Sequence, residues 1–442
     1  MVKLHVGIDD TDSPRTGCTT YIAALLVEKL EKKNVTFIEY PKLIRLNPNV
    51  PWKTRGNGAV SLTFLCQKDM IEKIKDIVTE TVEKNSDIGY PGTDPGVVFL
   101  EGEVPEEIEV FARKAITGIV DKEQALKLVE KYGGEARFFE DERGVIGGLA
   151  AIGESLDGDH TYELIAYRTP ENRGTVRKVD KDSVIAMDRA MHRETFNNFD
   201  YEKGRILITP HGPDPVLWGV RGESAEAVVK AHRMLKAYEP IERWVIFKTN
   251  QGTDAHLRRV KSISEVKPFH PVIVEGEVSE NPKIIPRRHV VFKLSDGTGT
   301  IDCAAFEPTG TLRKVAARLQ IGDLIEVMGG VKPRTDGKPE TINLEKLRVI
   351  RLKPKVVFRN PDCPECGSRM ESMGKGKGYR CRKCGFKSRS ASKQTIIEER
   401  DLKPGLYITP PRSQRHLTKP IVRYGREKHD LKEKLIEVWH EP

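Results

Sequence analysis

The segment KLHVGIDDTDSPRTGCTTYIAALLVEKLEK, residues 3–32, contains a strand, an acidic loop and a helix in that order. Apolar residues alternate up to Ile8, which is the pattern of a strand with one buried face. From Cys18 onward the apolar residues recur at helical spacing, and Thr19 or Thr20 is available as the helix cap. The sequence therefore predicts a strand, loop and helix unit with an acidic loop at the carboxyl end of the strand.

This loop places carboxylates immediately before the start of a helix. Asp9, Asp10 and Asp12 lie close together in it. Carboxylate oxygens are preferred ligands of Mg²⁺, and the amides at a helix start bind phosphate, so we expect a metal and nucleotide site. The residues expected to face the phosphates are Thr16, Gly17, Cys18 and Thr19. A solvated acidic turn is the alternative. The chain contains no GxxxxGK[ST] sequence, which excludes a Walker-type phosphate loop.

Two close cysteine pairs form the most specific local pattern in the chain. Cys363, Cys366, Cys381 and Cys384 are spaced C-x2-C-x14-C-x2-C, and a glycine follows each pair. This spacing predicts two knuckle turns that hold one tetrahedral, structural zinc ion. Basic and aromatic residues around the pairs favour phosphate contacts and base stacking. A protein-docking ribbon is the alternative.

The remaining chain divides by composition. Residues 266–353 contain short strands with one intervening helix, which is typical of an OB-fold barrel, although many OB domains bind proteins or sugars. We assign residues 354–395 to the zinc ribbon and 396–442 to a basic C-terminal segment. In that segment a disordered tail competes with a phosphate-binding surface formed by four residues, Arg412, Arg415, His416 and Lys419.

Two further polar loops follow strand-like segments. His211 and Asp214 lie among prolines and glycines, a setting that fixes a loop and directs polar side chains outward. They are candidates for binding a polar or cationic ligand, with a solvated loop as the alternative. The segment TNQGTDAH, residues 249–256, has the same character, and there we expect an ordinary turn.

Bulk composition limits the class of protein. The chain has 442 residues, enough for several domains, and 74 Lys and Arg against 65 Asp and Glu give a net charge of +9. Polyanion binding and the dense mixed charge of heat-stable proteins both agree with these counts. No long apolar run or signal peptide occurs, and the odd number of cysteines argues against a disulfide framework, so we expect a cytoplasmic protein with no membrane contact.

Taken together, these motifs resemble the archaeal agmatidine synthetase family along nearly the whole chain. The resemblance rests on the acidic loop, the barrel, the cysteine pairs and further stretches, namely RLNPNVPWKTRGNGAV, RGVIGGLAAIG, ITPHGPDPVLWGVRGE, KTNQGTDAHL and PPRSQRHLTKP. It implies a multidomain α+β fold with four parts: a kinase-like α/β module in two segments (1–58 and about 135–195), a ferredoxin-like domain (59–134 and about 196–265), the OB-fold barrel and the zinc ribbon.

The resemblance also implies a reaction. Such enzymes use ATP to phosphorylate the oxygen on C2 of a cytidine. The amine of agmatine then displaces the phosphorylated oxygen, which gives agmatidine, AMP and phosphate. The partner would be the isoleucine tRNA with a CAU anticodon, and the cofactors ATP, Mg²⁺ and Zn²⁺. Asp9, Asp10 and Asp12 would hold Mg²⁺, and Cys18 and Thr19 would lie near the phosphates. His211 and Asp214 would bind agmatine. Glu140 and Asp141 are candidates for additional carboxylates, with an exposed acidic turn as the alternative. Either Cys18 or Thr19 could take the position for which the kinase module is named.

Two rival functions remain open from the sequence. A single-strand-binding protein could be built on the barrel and ribbon alone, and a nuclease or phosphatase could use the same acidic loop. A single-strand-binding protein would bind RNA without consuming ATP, whereas a nuclease would shorten the RNA. The sequence leaves the oligomeric state open.

Overall fold

The computed structural model describes residues 1–53, 55–335, 340–429 and 434–442. Its first part alternates strands and helices, beginning with the expected strand, loop and helix. In chain order these elements are β1 (Val2–Asp9), α1 (Thr19–Glu31), β2 (Thr36–Phe37), β3 (Lys42–Arg45), β4 (Gly58–Cys66), α2 (Ile71–Asn85), β5 (Gly96–Glu101), α3 (Glu106–Thr117), α4 (Lys122–Lys131), β6 (Glu135–Phe138), α5 (Gly144–Gly153), β7 (Thr161–Arg168), α6 (Lys181–Met191), β8 (Thr195–Phe196), β9 (Phe199–Asp200), β10 (Arg205–Ile206), β11 (Val216–Gly222), α7 (Ala225–Met234), β12 (Ile241–Thr249) and β13 (Arg258–Arg259).

The second part consists mainly of strands. They are β14 (Val272–Ile285), β15 (His289–Ser295), β16 (Thr300–Ala305), then α8 (Thr311–Ala316), β17 (Leu324–Lys332), β18 (Thr341–Arg351), β19 (Lys355–Arg359), β20 (Glu371–Ser372), β21 (Tyr379–Arg380), β22 (Lys387–Ser388), β23 (Gln394–Glu398), β24 (Gly405–Ile408) and β25 (His440–Glu441). In the described ranges no helix is both long enough and apolar enough to cross a membrane.

One large sheet dominates the first part. Counted over the described residues it has eleven strands, in the order β6-β5-β1-β4-β3-β12-β7-β11-β8, with β2 beside β4 and β25 beside β12. β1 lies between β4 and β5 and pairs antiparallel with both. The parallel pairing of β3 with β12 joins the two halves of the sheet. The sheet therefore continues from β1 directly into β4, across the boundary that the sequence places at residue 58.

Helices cover the sheet because its strands carry apolar residues on both faces. Helices α1, α2, α6 and α7 contribute to one apolar core, and α3, α4 and α5 to another. Helix α5 is the glycine-rich segment, and it packs on β1 and β5 at backbone distance: a methyl group on Gly7 would overlap the backbone of Gly148, and one on Gly96 the backbone of Gly144. The absence of side chains at these glycines permits the close packing of the helix on the sheet.

A closed barrel follows. β14 pairs with β15, β15 with β16, β16 with β18, β18 with β17, and β17 returns to β14. Its interior is filled by alternate apolar side chains such as Val274, Phe292 and Leu347. The OB-fold prediction is confirmed.

The two chain segments that lead into and out of the zinc ribbon, β19 and β23, pair as a two-stranded antiparallel sheet. The ribbon's own sheet contains β20, β21 and β22. The segment after it is not a disordered tail where it is described: β24 pairs with β18 of the barrel, and β25 pairs with β12 of the large sheet. The alternative of a disordered basic tail is therefore wrong for these residues.

Candidate active site

The acidic loop begins at the end of β1, where the backbone is strained. Asp10 has a φ of 57°, which is uncommon for a residue other than glycine and recurs at functional sites. Burial raises the pKa of Asp9 well above its ordinary value, and the charge of Asp10 adds to that shift. Burial also raises the pKa of Asp10 to about 6, although Arg143 opposes the shift. The loop therefore concentrates negative charge that a cation would relieve.

Arg143 holds this loop in place, and sequence reasoning missed it. Its Nη2 lies 3.1 Å from Oδ2 of Asp10 and 2.6 Å from Oδ2 of Asp94. Arg143 is the residue before α5, so the glycine contacts that seat α5 on the sheet also position this guanidinium. By contrast, Glu140 and Asp141 are exposed, and Asp141 pairs with Lys122. The suggestion that these two carboxylates extend the site is not supported by their positions.

A narrow cavity lies against the loop. Its polar wall is formed by the three aspartates and Arg143, and its volume is about 640 Å³ including the open mouth. Apolar side chains also line this cavity, namely Leu46, Val50, Trp52, Val120 and Ile146. A cavity with both a carboxylate cluster and apolar side chains suits a flat organic group attached to a metal-bound anion.

A second, wider cavity adjoins the first and shares Asp12, Asn57 and Gly58 with it. Its volume is about 1510 Å³ including the open mouth. Part of its wall comes from strands β3, β7 and β11, whose residues Arg45, Glu163 and Arg221 belong to it. Arg221 and Glu163 are cross-strand partners joined by an ion pair of 3.1 Å.

The start of α1 borders the wider cavity. The helix begins at Thr19, and Cys18 occupies the capping position without a side-chain capping bond, so neither threonine is the cap that the sequence suggested. Cys18 and Thr19 line the wider cavity. Burial raises the pKa of the Cys18 thiol to about 11, so it is protonated at neutral pH. Thr11 and Thr19 share a hydrogen bond of 2.9 Å between their hydroxyls.

Thr16 and Gly17 contribute differently from the expectation. Their carbonyl oxygens accept hydrogen bonds from Nη2 of Arg55, at 3.2 and 2.5 Å. Neither residue belongs to the described wall of either cavity. The loop turns back here because Gly17 has a φ of 83° and lies against the backbone of Thr11. Direct phosphate binding by Thr16 and Gly17 therefore receives no support from this geometry.

His211 and Asp214 both line the wider cavity, but no hydrogen bond joins their side chains in the described structure. His211 is exposed and contacts Arg205, and burial and the arginine charge lower its pKa. Asp214 is buried, with Oδ2 3.1 Å from Arg55 and Oδ1 3.2 Å from Arg177. Burial raises the pKa of Asp214, and the two arginines oppose the shift. The expected carboxylate is present, but two guanidinium groups already hold it.

The segment at residues 249–256 is not the ordinary turn that its composition suggested. Gln251 is fully buried: its Oε1 accepts from Nε of Arg45 and its amide donates to Glu163. Asp254 pairs with the fully buried Lys346 of the barrel. The composition of the segment did not reveal this burial, because its partners come from β3, β7 and the barrel.

Most of the four basic residues of the C-terminal segment are already paired. Arg412 binds Asp200 and Glu202 at 3.0 and 2.6 Å, and Lys419 binds Glu427 at 2.9 Å. Arg415 donates to Asn49 Oδ1 at 2.8 Å and lies 3.5 Å from Glu345, while His416 reaches the wider cavity. The segment ties the barrel to the large sheet, which leaves little of its charge for a phosphate surface.

The cysteine prediction is supported by the geometry. The ligand sulfurs of Cys363, Cys366, Cys381 and Cys384 all lie within 4.8 Å of one another. The glycine after each pair has a positive φ, as the knuckle turns require. Four thiols in this arrangement fit one tetrahedral zinc ion and leave no position for a reacting water.

Models of known domains match most of the chain. Domain models match at four places: TiaS TCKD domain at residues 5–140, TiaS FLD domain at 142–256, OB-fold nucleic acid binding domain at 272–350 and TiaS C-terminal zinc ribbon domain at 360–402. The first two meet near residue 141, whereas the sequence suggested two interleaved domains. The interleaved division remains a prediction from the sequence alone.

Relatives and solved structures match at nearly full length. The isoleucine-tRNA 2-agmatinylcytidine synthetase TiaS of Staphylothermus marinus is 43% identical over 98% of this chain and 96% of its own. The crystal structure of TiaS in complex with its isoleucine tRNA and ATP has a TM-score of 0.85 and 40% identity, covering 96% of this chain and 98% of that one. A complex of TiaS with the same tRNA, AMPCPP and agmatine gives a TM-score of 0.84 and 38% identity, with the same two coverages.

Proposed function

Because the chain belongs to the TiaS family of isoleucine-tRNA 2-agmatinylcytidine synthetases, we propose that it conjugates agmatine to C2 of the first anticodon cytidine of the AUA-decoding isoleucine tRNA. The observation that carries this proposal is the pair of adjoining cavities that meet at Asp12. One is suited to a nucleotide and the other is wide enough for a base and an amine. The agmatine and tRNA in the complexes of relatives agree with two such substrates.

The chemistry requires an activated oxygen. A carbonyl oxygen is a very poor leaving group, so ATP first phosphorylates the C2 oxygen of the cytidine. The primary amine of agmatine then attacks C2, the C2–O bond breaks, and phosphate departs with the oxygen while the amine loses a proton. The phosphate that leaves C2 is one of the two phosphates from ATP. The other is released when water cleaves the bond between the α- and β-phosphates, so that ATP becomes AMP and two phosphates overall.

The acidic loop fits a divalent cation. Asp9 and Asp10 are crowded carboxyls whose pKa values are raised by burial, and a nearby cation reverses such shifts. We assign Asp9, Asp10 and Asp12 to Mg²⁺, which would neutralise the phosphates of ATP. The adenine would lie against the apolar side chains of Trp52 and Ile146. The ATP in the complex of a relative agrees with a nucleotide as one of the substrates.

The wider cavity would hold the two partners of the second step. Cys18 and Thr19 lie beside Asp12 in its wall, where a phosphoryl group would pass from ATP to the cytidine. Asp214 remains our candidate for the agmatine guanidinium, with His211 at the rim. To bind agmatine, Asp214 would exchange its contact with Arg55 for a contact with the ligand, because a carboxylate pairs equally well with either guanidinium.

The barrel and the ribbon would hold the rest of the tRNA. One anticodon base must leave its stack to reach the wider cavity, while basic surfaces elsewhere bind the backbone. Zinc would stabilise the ribbon and take no part in the reaction. With tRNA as the substrate and thiols as zinc ligands, we place the protein in the cytoplasm.

The test is mass spectrometry of anticodon nucleosides. The CAU-anticodon isoleucine tRNA is incubated with protein, ATP, Mg²⁺ and agmatine, in parallel with Asp12→Asn and with Asp76→Asn, an exposed carboxylate on α2. We expect agmatinylated cytidine from the wild type and Asp76→Asn, and at least about 100-fold less from Asp12→Asn. Unmodified cytidine despite tight RNA binding would instead favour a non-catalytic single-strand-binding protein.

A further inference from the structure

A basic cluster in the wider cavity has no role in the function proposed above. It consists of Arg45 on β3, Arg221 on β11 and His416 in the C-terminal segment. Nη2 of Arg221 donates to Nδ1 of His416 at 2.9 Å. Three distant segments of the chain therefore bring their basic side chains to one place in the cavity wall.

His416 is a neutral donor in this cluster. Burial lowers its pKa well below the ordinary value, and the charges of Arg45, Arg221 and Lys53 lower it further. Because Nδ1 accepts a hydrogen bond from Arg221, the single ring proton must lie on Nε2. Nε2 forms no hydrogen bond with any residue in the described ranges. The imidazole thus offers one free N–H group.

Arg45 offers further free donors beside it. Its Nε donates to Gln251 at 3.3 Å, but its terminal nitrogens form no hydrogen bond or ion pair with the residues that the structure describes. Arg55 and Arg412, in the wall of the same cavity, each contact two carboxylates. Burial lowers the pKa of Arg45 to about 10, so the guanidinium is still charged at neutral pH.

The free donors converge on Gly56. A methyl group at Gly56 would lie 2.7 Å from Nη1 of Arg45 and 3.2 Å from Nε2 of His416, so both nitrogens lie close to one point. A charged N–H group of Arg45 and the neutral N–H group of His416, both beside Gly56, are donors of the kind that bind a tetrahedral oxyanion. Gly56 has no side chain to stand between them.

We propose that Arg45 and His416 form a binding site for the phosphate that departs from C2 of the cytidine, and that Arg221 is the positioning residue that fixes the His416 ring. This inference rests on the proposed function. When the C2–O bond breaks, the oxygen leaves with the bonding electron pair as inorganic phosphate. Two donors at that oxygen stabilise the developing charge and favour bond cleavage without transferring a proton.

The direct test is calorimetric titration of the full chain with inorganic phosphate, without ATP or RNA. We expect Arg45→Gln to weaken phosphate binding by at least about tenfold, because it removes the charged guanidinium. Arg113→Gln, which removes the same charge from an exposed position on α3, should bind like the wild type. Equal phosphate affinity for the wild type and Arg45→Gln would overturn the proposal. If Arg45→Gln fails to fold, Arg45→Lys keeps the charge without the guanidinium, and unchanged phosphate affinity in that variant would also overturn it.

A second titration identifies the source of the phosphate. An anticodon stem-loop RNA with the CAU sequence should bind Arg45→Gln and the wild type equally. If the substitution weakens RNA binding but not phosphate binding, the cluster holds an RNA backbone phosphate and the proposal fails. Absence of agmatidine formation by the wild type would refute the proposed function, whereas the dependence of phosphate affinity on Arg45 is measured independently of it.

Discussion

The guanidinium of Arg55 lies between Asp12 and Asp214, with Nε 2.5 Å from Oδ2 of Asp12 and Nη1 3.1 Å from Oδ2 of Asp214. Asp12 belongs to both cavities and Asp214 to the wider one alone. A cation that binds either carboxylate must therefore compete with the same arginine. Arg55 therefore joins the two cavities through a single side chain.

Replacing Arg55 should affect both substrates. Lysine has one compact charge and cannot span two carboxylates as the planar guanidinium does. For Arg55→Lys we expect kcat/KM to fall by about tenfold for agmatine and also for ATP in initial-rate measurements. Arg15→Lys changes an exposed arginine that pairs with Asp87 outside both cavities, and it should leave both constants unchanged. A loss confined to one substrate would show that Arg55 does not link the sites.

Gly147 should be intolerant of any side chain. A methyl group on this α5 residue would overlap the carboxylate of Asp9. Since displacement of a reacting group by about 1 Å can cost about 100-fold in rate, we expect a loss of that size in agmatidine formation by Gly147→Ala. The control is Gly158→Ala, where the added methyl group would meet open space. Full activity of Gly147→Ala would mean that Asp9 does not need its observed position.

Glu345 should make stability sensitive to acid. It joins β18 to His256 at 3.0 Å and to Thr418 at 3.1 Å. Although burial opposes it, the interaction with His256 lowers the pKa of Glu345 from 4.5 to about 2. A carboxyl whose pKa is lower in the folded state stabilises the fold at every pH above its pKa in the unfolded chain. For Glu345 this contribution is lost as the pH falls from 4.5 through about 2.

The corresponding measurement is thermal unfolding of Glu345→Gln and the wild type as a function of pH. Above pH 4.5 the variant should be less stable by about 3 kcal/mol, since a buried pair is broken, and the two curves should converge in acid. Glu72→Gln, at an exposed position on α2, serves as the control. A difference that is constant down to pH 2 would contradict the assigned shift.

Removing zinc should disable the ribbon alone. Its buried core contains only Cys363, Met370 and Cys381, which is too small to fold without metal. When a chelator removes the zinc, we expect the affinity for the tRNA to fall by at least about tenfold and the affinity for ATP to stay unchanged. Added Zn²⁺ should restore the affinity for the tRNA. Unchanged tRNA affinity after chelation would separate the ribbon from RNA binding.

Local patterns were enough to predict the local parts of this molecule. The cysteine spacing indicated the metal cluster, and the alternation after residue 270 indicated the barrel, because both depend on residues near each other in the chain. Arg55 and Arg143 could not be predicted in the same way, since their carboxylate partners lie far away in sequence. Gln251 was misread because its burial depends on β3 and β7, which only the folded sheet brings together.

The last strand has a consequence for synthesis. β25 adds Glu441 and His440 to the large sheet opposite Trp244 and Val245, and the neighbouring Trp439 packs against Phe37. During synthesis on the ribosome, the edge of β12 at Trp244 and Val245 stays without this partner until the residues of β25 have left the exit tunnel. The catalytic half of the protein, although translated first, therefore reaches its final packing only after the barrel and ribbon have been made.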